Sequence, residues 1–333
     1  MINVAVVGYG YWGPRVARNF YSSGKTTLHT VCDSRPDALR KAATEFPGIA
    51  ITTDPDEVMK STVIDAVAIV TPVWTHYDFA KQALENGKHI WVEKPFTMNS
   101  EQARDLIEIA ERKGLTIMVD HTFLFTGAVK KMAQLVDDGT LGQLYYYDST
   151  RVNLGLFQHD VNVIWDLAPH DLAIMDYLIK KDPEAVVATG QSHLNGHEDM
   201  AYMTIFYTDK LIAHVSVNWL SPVKVRTTLL GGEKKMLVWN DLEADEKIRV
   251  YDKGVEITNK AGEYDLLVSY RSGDMWAPRV DQTEALRNEV VYFAECIQNG
   301  ARPINDGVAG YRVVKLLEAA NESMKNRGKI VQL

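Results

Sequence analysis

The sequence predicts a doubly wound parallel α/β domain followed by an α+β domain built on an open, mostly antiparallel sheet. Three observations predict it. Strand-like and helix-like segments alternate from the amino terminus to about residue 121. The first strand-like run, Val4-Ala5-Val6-Val7, passes straight into Gly8-Tyr9-Gly10-Tyr11-Trp12-Gly13, a G-x-G-x-x-G turn. From Val186 to Tyr251, strand-like segments follow one another through short turns with no helix between them. Alternation calls for parallel strands with crossover helices, and unbroken succession calls for antiparallel ones. The expected division is therefore 1–121 and 122–333.

Length and composition agree with about two domains. The 333 residues are 46% hydrophobic and 24% charged, the balance of an ordinary globular chain with ample material for a core. A net charge of −8 argues against nucleic acid or an anionic membrane as a bulk partner. Cys32 and Cys296 form neither a disulfide framework nor a metal-ligand spacing, and nine scattered histidines offer no metal set. With no amino-terminal signal and no apolar run long enough to span a bilayer, the cytoplasm is the expected compartment.

Each element has its reason. In the glycine turn, the first glycine makes the tight turn and the second lets a pyrophosphate approach the backbone. The third lets helix and strand pack closely. Pro14 suits the first turn of the following helix, whose amino terminus offers N–H groups and a positive dipole end to phosphates. The next strand, Leu28 to Asp33, ends in an acid 20 residues past Gly13, where a carboxylate binds the ribose hydroxyls of NAD. Gly8, Gly10, Tyr11, Trp12, Gly13 and Asp33 are thus cofactor-binding candidates in a Rossmann domain. Asp33 favours NAD and repels a 2′-phosphate, while Arg35 leaves NADP as the lesser alternative. Helices are predicted over 35–46, 55–60, 75–87 and 100–113, with Asp54 capping the second. Continuous apolar runs at 65–70 and 88–92 read as strands covered on both faces. The second domain opens with helices over 126–138 and 162–180, with the strand 144–152 between them. It then runs through the strands 186–193, 200–207, 211–219, 225–230, 235–238 and 248–251, and ends in helices over 284–299 and 307–326. Residues 261–280 have weak periodicity and read as a lid or an oligomer contact.

Two clusters could carry chemistry. Glu93-Lys94-Pro95 follows a strand directly, so Lys94 would point into the crevice beyond the strand ends; a solvated loop lysine is the alternative. In Asp166-Leu167-Ala168-Pro169-His170, the acid and the imidazole are four apart and share a helix face. That pair could move a proton near neutral pH, or could equally be a structural ion pair, and Pro169 implies a kink or a later start.

Taken together, the glycine turn, Thr71-Pro72 with His76, Glu93-Lys94-Pro95 and the Asp-x-x-x-His pair resemble the glucose–fructose oxidoreductase / inositol dehydrogenase / MocA family over essentially the whole chain. The resemblance implies hydride transfer between NAD(P) and a sugar or cyclitol hydroxyl. It implies His170 as general base, Asp166 orienting it or bonding substrate, and Lys94 fixing the reacting oxygen. Thr71, Pro72, His76, Glu93 and Lys94 become cofactor-side residues. Val73 and Asp120-His121-Thr122-Phe123 depart from the family pattern; His121 could make a nicotinamide-side contact or be a buried structural histidine.

The Trp-Asp-Leu-Ala-Pro-His-Asp form with Asn162 before it resembles the subgroup oxidising nucleotide-diphosphate sugars, of the UDP-N-acetylglucosamine 3-dehydrogenase type. Arg151, Asn153, Asn162, Lys224 and Arg226 are the substrate-binding candidates. Lys224 and Arg226 share a strand face and could meet a diphosphate, or be solvated charges. A free-sugar or inositol dehydrogenase, an NADP-linked ketosugar reductase and a non-catalytic NAD-binding regulator are the competing readings. A homodimer or homotetramer is expected through the open face of the second sheet.

Overall fold

A computed structural model describes residues 1–155, 160–194, 196–252, 254–257, 268–271 and 273–333. In chain order it contains β1 (Ile2–Val7), α1 (Gly13–Ser22), β2 (Thr26–Cys32), α2 (Pro36–Glu45), β3 (Ala50–Thr52) and α3 (Pro55–Lys60). There follow β4 (Ala66–Ile69), α4 (His76–Glu85), β5 (His89–Val92), α5 (Ser100–Lys113), β6 (Ile117–Val119), α6 (Gly127–Asp137), β7 (Leu144–Leu154) and α7 (Val163–Ile179). The strands β8 (Ala185–Gln191), β9 (Met200–Phe206), β10 (Ile212–Asn218), β11 (Leu220–Gly232), β12 (Met236–Asn240) and β13 (Ile248–Tyr251) then run in succession. After them come β14 (Gly254–Ile257), β15 (Val268–Arg271), β16 (Met275–Trp276), α8 (Ala285–Asn299), α9 (Gly307–Lys325) and β17 (Val331–Gln332). Among the described residues no helix is long and apolar enough to cross a membrane.

The chain forms two compact units, 1–126 with 283–318, and 127–282 with 319–333. The expected single division after residue 121 differs from this, because the first unit takes a carboxy-terminal segment into its core. Leu286, Val290 and Phe293 of α8 are buried in one apolar cluster with Val4, Val6, Val16, Phe20 and Trp91. The rings of Phe20 and Phe293 meet edge to face at 6.1–6.3 Å spacing, as do those of Phe20 and Trp91.

In the first unit all six strands are parallel in the order β3-β2-β1-β4-β5-β6. The order reverses between β1 and β4, so a ligand crevice lies beyond the carboxyl ends of those two strands. In the second unit the order is β16-β13-β12-β11-β7-β10-β9-β8-β17, antiparallel throughout except that β7 and β10 run parallel. Along β7, β9 and β10 burial alternates with period two, giving one packed and one open sheet face. Helix α7 packs on β7, β9 and β10.

Two expectations shift. The strand expected at 225–230 begins at Leu220 and carries an irregularity before Val225, where its pairing to β7 is interrupted. Of the segment 261–280, residues 261–267 and 272 lie outside the described residues; 268–271 and 275–276 are strands paired to β14 and β13.

Candidate active site

The glycine turn shows why its residue types are needed. Gly8 has φ +100°, and a Cβ there would sit 2.3 Å from the carbonyl oxygen of Val70 at the end of the neighbouring strand. A Cβ on Gly13 would sit 2.4 Å from the Gly8 carbonyl oxygen, so only glycine lets α1 start this close to β1. Above Gly10 the space is open for 4 Å, a cradle that a side chain would fill. No side chain caps α1, which begins with Pro14 in its first turn; the N–H groups of Arg15 and Val16 turn back to the Trp12 carbonyl at 2.9 and 3.3 Å.

A pocket of 480 Å³ opens beside this turn, lined among others by Gly8, Gly10, Asp33, Arg35, Thr71 and Pro72. Asp33 stands just past β2 and is buried there. It accepts from the N–H of Tyr9 at 2.7 Å and of Arg35 at 2.9 Å, and from the Arg35 guanidinium at 3.1 Å. Burial opposes its ionisation, but the guanidinium and the two N–H groups outweigh that and hold the carboxyl below its usual range. The open cradle, the uncapped helix start and an ionised acid in the pocket wall fit an NAD pyrophosphate and adenosine ribose.

The other cofactor-side candidates are spread around the strand ends of this unit. Tyr11 is 79% exposed, with the Arg15 guanidinium 4.8 Å from its ring centre. Trp12 turns inward and its indole N–H donates to Asp120 at 2.9 Å. Thr71 accepts from the Thr75 hydroxyl at 2.7 Å. His76 is buried, its Nε2 2.8 Å from the Thr71 carbonyl oxygen and its Nδ1 2.9 Å from that of Pro95. It therefore braces the two turns that bear Thr71 and Lys94, a different place from the direct cofactor contact expected of it. Glu93 and Lys94 follow β5, both half-buried, and the Lys94–Pro95 bond is cis. His121 is buried, and neither ring nitrogen has a hydrogen-bond partner among the described residues.

In the second unit the Asp–His pair lies within α7, and the helix runs through Pro169. Between Asn162 and Met175 only Asp166, Leu167 and His170 are not buried, so the acid and the imidazole occupy the one open face of an otherwise enclosed helix. The fully buried Trp219 donates its indole N–H to Asp166 Oδ2 at 3.0 Å. Trp219 is itself anchored through its backbone N–H on the Asp199 carbonyl at 2.9 Å.

Three expected substrate contacts are instead structural ties. Arg151 is 2% exposed, because alternation on β7 turns it inward, and its guanidinium pairs with the buried Asp171 carboxylate at 2.5 Å. Asn162 caps α7, accepting from Trp165 N–H at 3.2 Å and donating to Glu198 and Asn321 at 3.0 Å each. Arg226 reaches Asp241 at 3.3 Å. Lys224 stays exposed, and Asn153 is partly exposed near the end of β7.

Trp219, Asp171 and Glu289 escaped the sequence reading. Trp219 and Asp171 carried no spacing signal. Glu289 did: Leu286, Glu289, Val290 and Phe293 place an acid on the apolar stripe of α8.

Residues 2–121 match the model of the oxidoreductase family with an NAD-binding Rossmann fold, GFO/IDH/MocA, and residues 129–238 match that family's C-terminal domain. The chain belongs to the GFO/IDH/MocA family. It is an NAD-dependent oxidoreductase. Relatives include the scyllo-inositol 2-dehydrogenase (NAD(+)) of Bacillus subtilis, 27% identical over 100% of this chain and 96% of that one. The UDP-N-acetylglucosamine 3-dehydrogenase of Acidithiobacillus ferrooxidans is 26% identical over 94% of each chain. A solved structure of that enzyme superposes with a TM-score of 0.83 at 23% identity, covering 98% of both chains, and shares the fold.

Proposed function

We propose that this protein acts in the cytoplasm as an NAD-dependent dehydrogenase of a ring hydroxyl, that at C3 of a nucleotide-diphosphate amino sugar. The product would serve the assembly of a polysaccharide or of lipid A. The observation that carries this reading is the partly open face of α7, where Asp166 and His170 stand on consecutive turns among buried neighbours from Asn162 to Met175. A partly buried imidazole with a carboxylate one turn away is suited to take a hydroxyl proton. The indole N–H of the buried Trp219 holds Asp166 Oδ2 and so fixes the direction of the carboxylate. Lys94, half-buried at the end of β5, supplies three N–H donors for the reacting oxygen. NAD, when bound, supplies the hydride acceptor; Gly8 to Gly13 would hold its pyrophosphate and Asp33 its ribose. Lys224 and Asn153 are the remaining candidates for the nucleotide diphosphate. The relation to the UDP-N-acetylglucosamine 3-dehydrogenase supports the choice of substrate class.

A screen of UDP- and dTDP-sugars with NAD, followed by absorbance of the reduced cofactor, tests the reading. Lys94→Ala and His170→Ala are expected to lower turnover on the best substrate by about 10²–10⁴-fold. Unchanged turnover would remove both assignments. The relation to the scyllo-inositol 2-dehydrogenase favours a second reading, oxidation of a free sugar or cyclitol. Failure of UDP alone to compete with substrate would select that second reading.

A further inference from the structure

Glu289 lies on α8 with no exposed surface, inside the first unit, and has been given no chemical role above. Its Oε1 accepts from Asn305 Nδ2 at 2.8 Å, and the same amide donates to the Val119 carbonyl at 2.7 Å. Its Oε2 is buried, and no N–H or O–H group donates to it by hydrogen-bond geometry. Asp120 follows Val119 directly, just past β6, is also buried, and is the acid that acts on Glu289. Both Asp120 oxygens already accept: Oδ2 from the Trp12 indole at 2.9 Å, and Oδ1 from the Thr122 hydroxyl. Two ionised carboxylates cannot share an enclosed site without a cation between them. An oxygen that lacks a donor, set beside an acceptor of negative charge, is the arrangement expected of a carboxylic acid that itself donates.

We propose that Glu289 is held as a neutral acid donating to Asp120, and that this bond positions Trp12, and with it the glycine turn, for NAD. Glu289 is thus a positioning residue. Trp12 lies between Gly10 and Gly13, so its anchor on Asp120 sets the path of the backbone that would meet the pyrophosphate.

The surroundings agree. Burial first, then the Asp120 charge and the hydrogen bond with it, push the Glu289 carboxyl well above the usual carboxylate range; Glu93 adds to the rise and the Thr122 hydroxyl opposes it. His121, next to Asp120 in the chain, is driven by burial to a pKa of about 4, with the Lys94 charge adding to the fall, so the ring brings no positive charge near neutral pH. Loss of the Glu289 proton would place a second negative charge behind the turn that receives a pyrophosphate, and would break the tie to Asp120.

Two measurements test this on the full chain. Infrared difference spectra of wild type against Glu289→Gln should show a protonated-carboxyl stretch at pH 7 in wild type alone; indistinguishable spectra overturn the proposal. Calorimetric NAD affinity is the second. Glutamine keeps a donor for Asp120 and an acceptor for Asn305, so Glu289→Gln should bind NAD within about threefold of wild type, whereas Glu289→Leu should bind about tenfold more weakly. Equal affinities for the two variants overturn it. Should the leucine variant fail to fold, Trp12→Phe keeps the ring and removes the N–H. An about tenfold weaker affinity there supports the proposal, and wild-type affinity refutes it.

Discussion

His121 shows how one buried side chain couples the strand ends to pH. Burial lowers its pKa to about 4, with the Asp120 charge opposing and the Lys94 charge assisting. In the unfolded chain the ring titrates near 6.5. Between those values the unfolded chain takes up a proton that the folded ring refuses. Its contribution to stability is therefore complete above about pH 6.5 and is lost as pH falls toward 4, to a total on the order of 3 kcal/mol. His121→Phe should shrink the fall in urea-unfolding free energy between pH 7 and pH 4.5; a variant as acid-sensitive as wild type would show that the ring ionises freely in the folded state. At the same scale Asp33 was readable from its distance to Gly13, because strand length and turn length fix that spacing. What it touches was not readable: the Arg35 guanidinium, weighed as a phosphate ligand, folds back onto Asp33 and the Tyr9 carbonyl.

The element that presents the proposed chemistry is α7, and its orientation depends on one enclosed ion pair. Asp171 follows His170 directly and points to the sheet, where it takes the Arg151 guanidinium and the Ser149 hydroxyl at 2.6 Å. Its backbone carbonyl accepts from the Tyr147 hydroxyl at 3.0 Å. These ties to β7 fix which face of α7 is open, and so where Asp166 and His170 stand. Arg151→Met strands a buried carboxylate and should cost about 3–5 kcal/mol, seen as a large drop in thermal midpoint. The double variant Arg151→Met/Asp171→Leu should recover most of it, since an apolar pair carries no desolvation penalty. A double variant as unstable as the single one would mean that Arg151 acts through packing alone. The Asp166–His170 spacing was legible as a shared helix face. The inward turn of Arg151 followed from alternation along β7, but only the packed sheet says which of its two faces is covered.

For the whole molecule, the open face of the second sheet is the feature with a consequence. Tyr202 and His214 are exposed there, on strands whose alternate residues are fully buried. An extended sheet face of this kind is expected to be covered by a second copy, so light scattering at micromolar concentration should report a homodimer or a homotetramer. A monomer would leave the face open to solvent. At this scale the periodicity of the sequence was sufficient for the order of strands and helices. The unit boundaries were not, because α8 joins the first core through Leu286, Val290 and Phe293 across more than 150 intervening residues.

The sequence alone determined the glycine turn, the acid after the second strand, the change from alternating to successive strands and the shared face of Asp166 and His170. All of these follow from local spacing, and local spacing is governed by backbone geometry over a few turns. Only the tertiary structure decided that Arg151 meets Asp171, that Trp219 holds Asp166 and that Glu289 takes the Asn305 amide. Each of those contacts joins residues distant in sequence inside an enclosed space, where charge and donor must be matched because water is not there to do it.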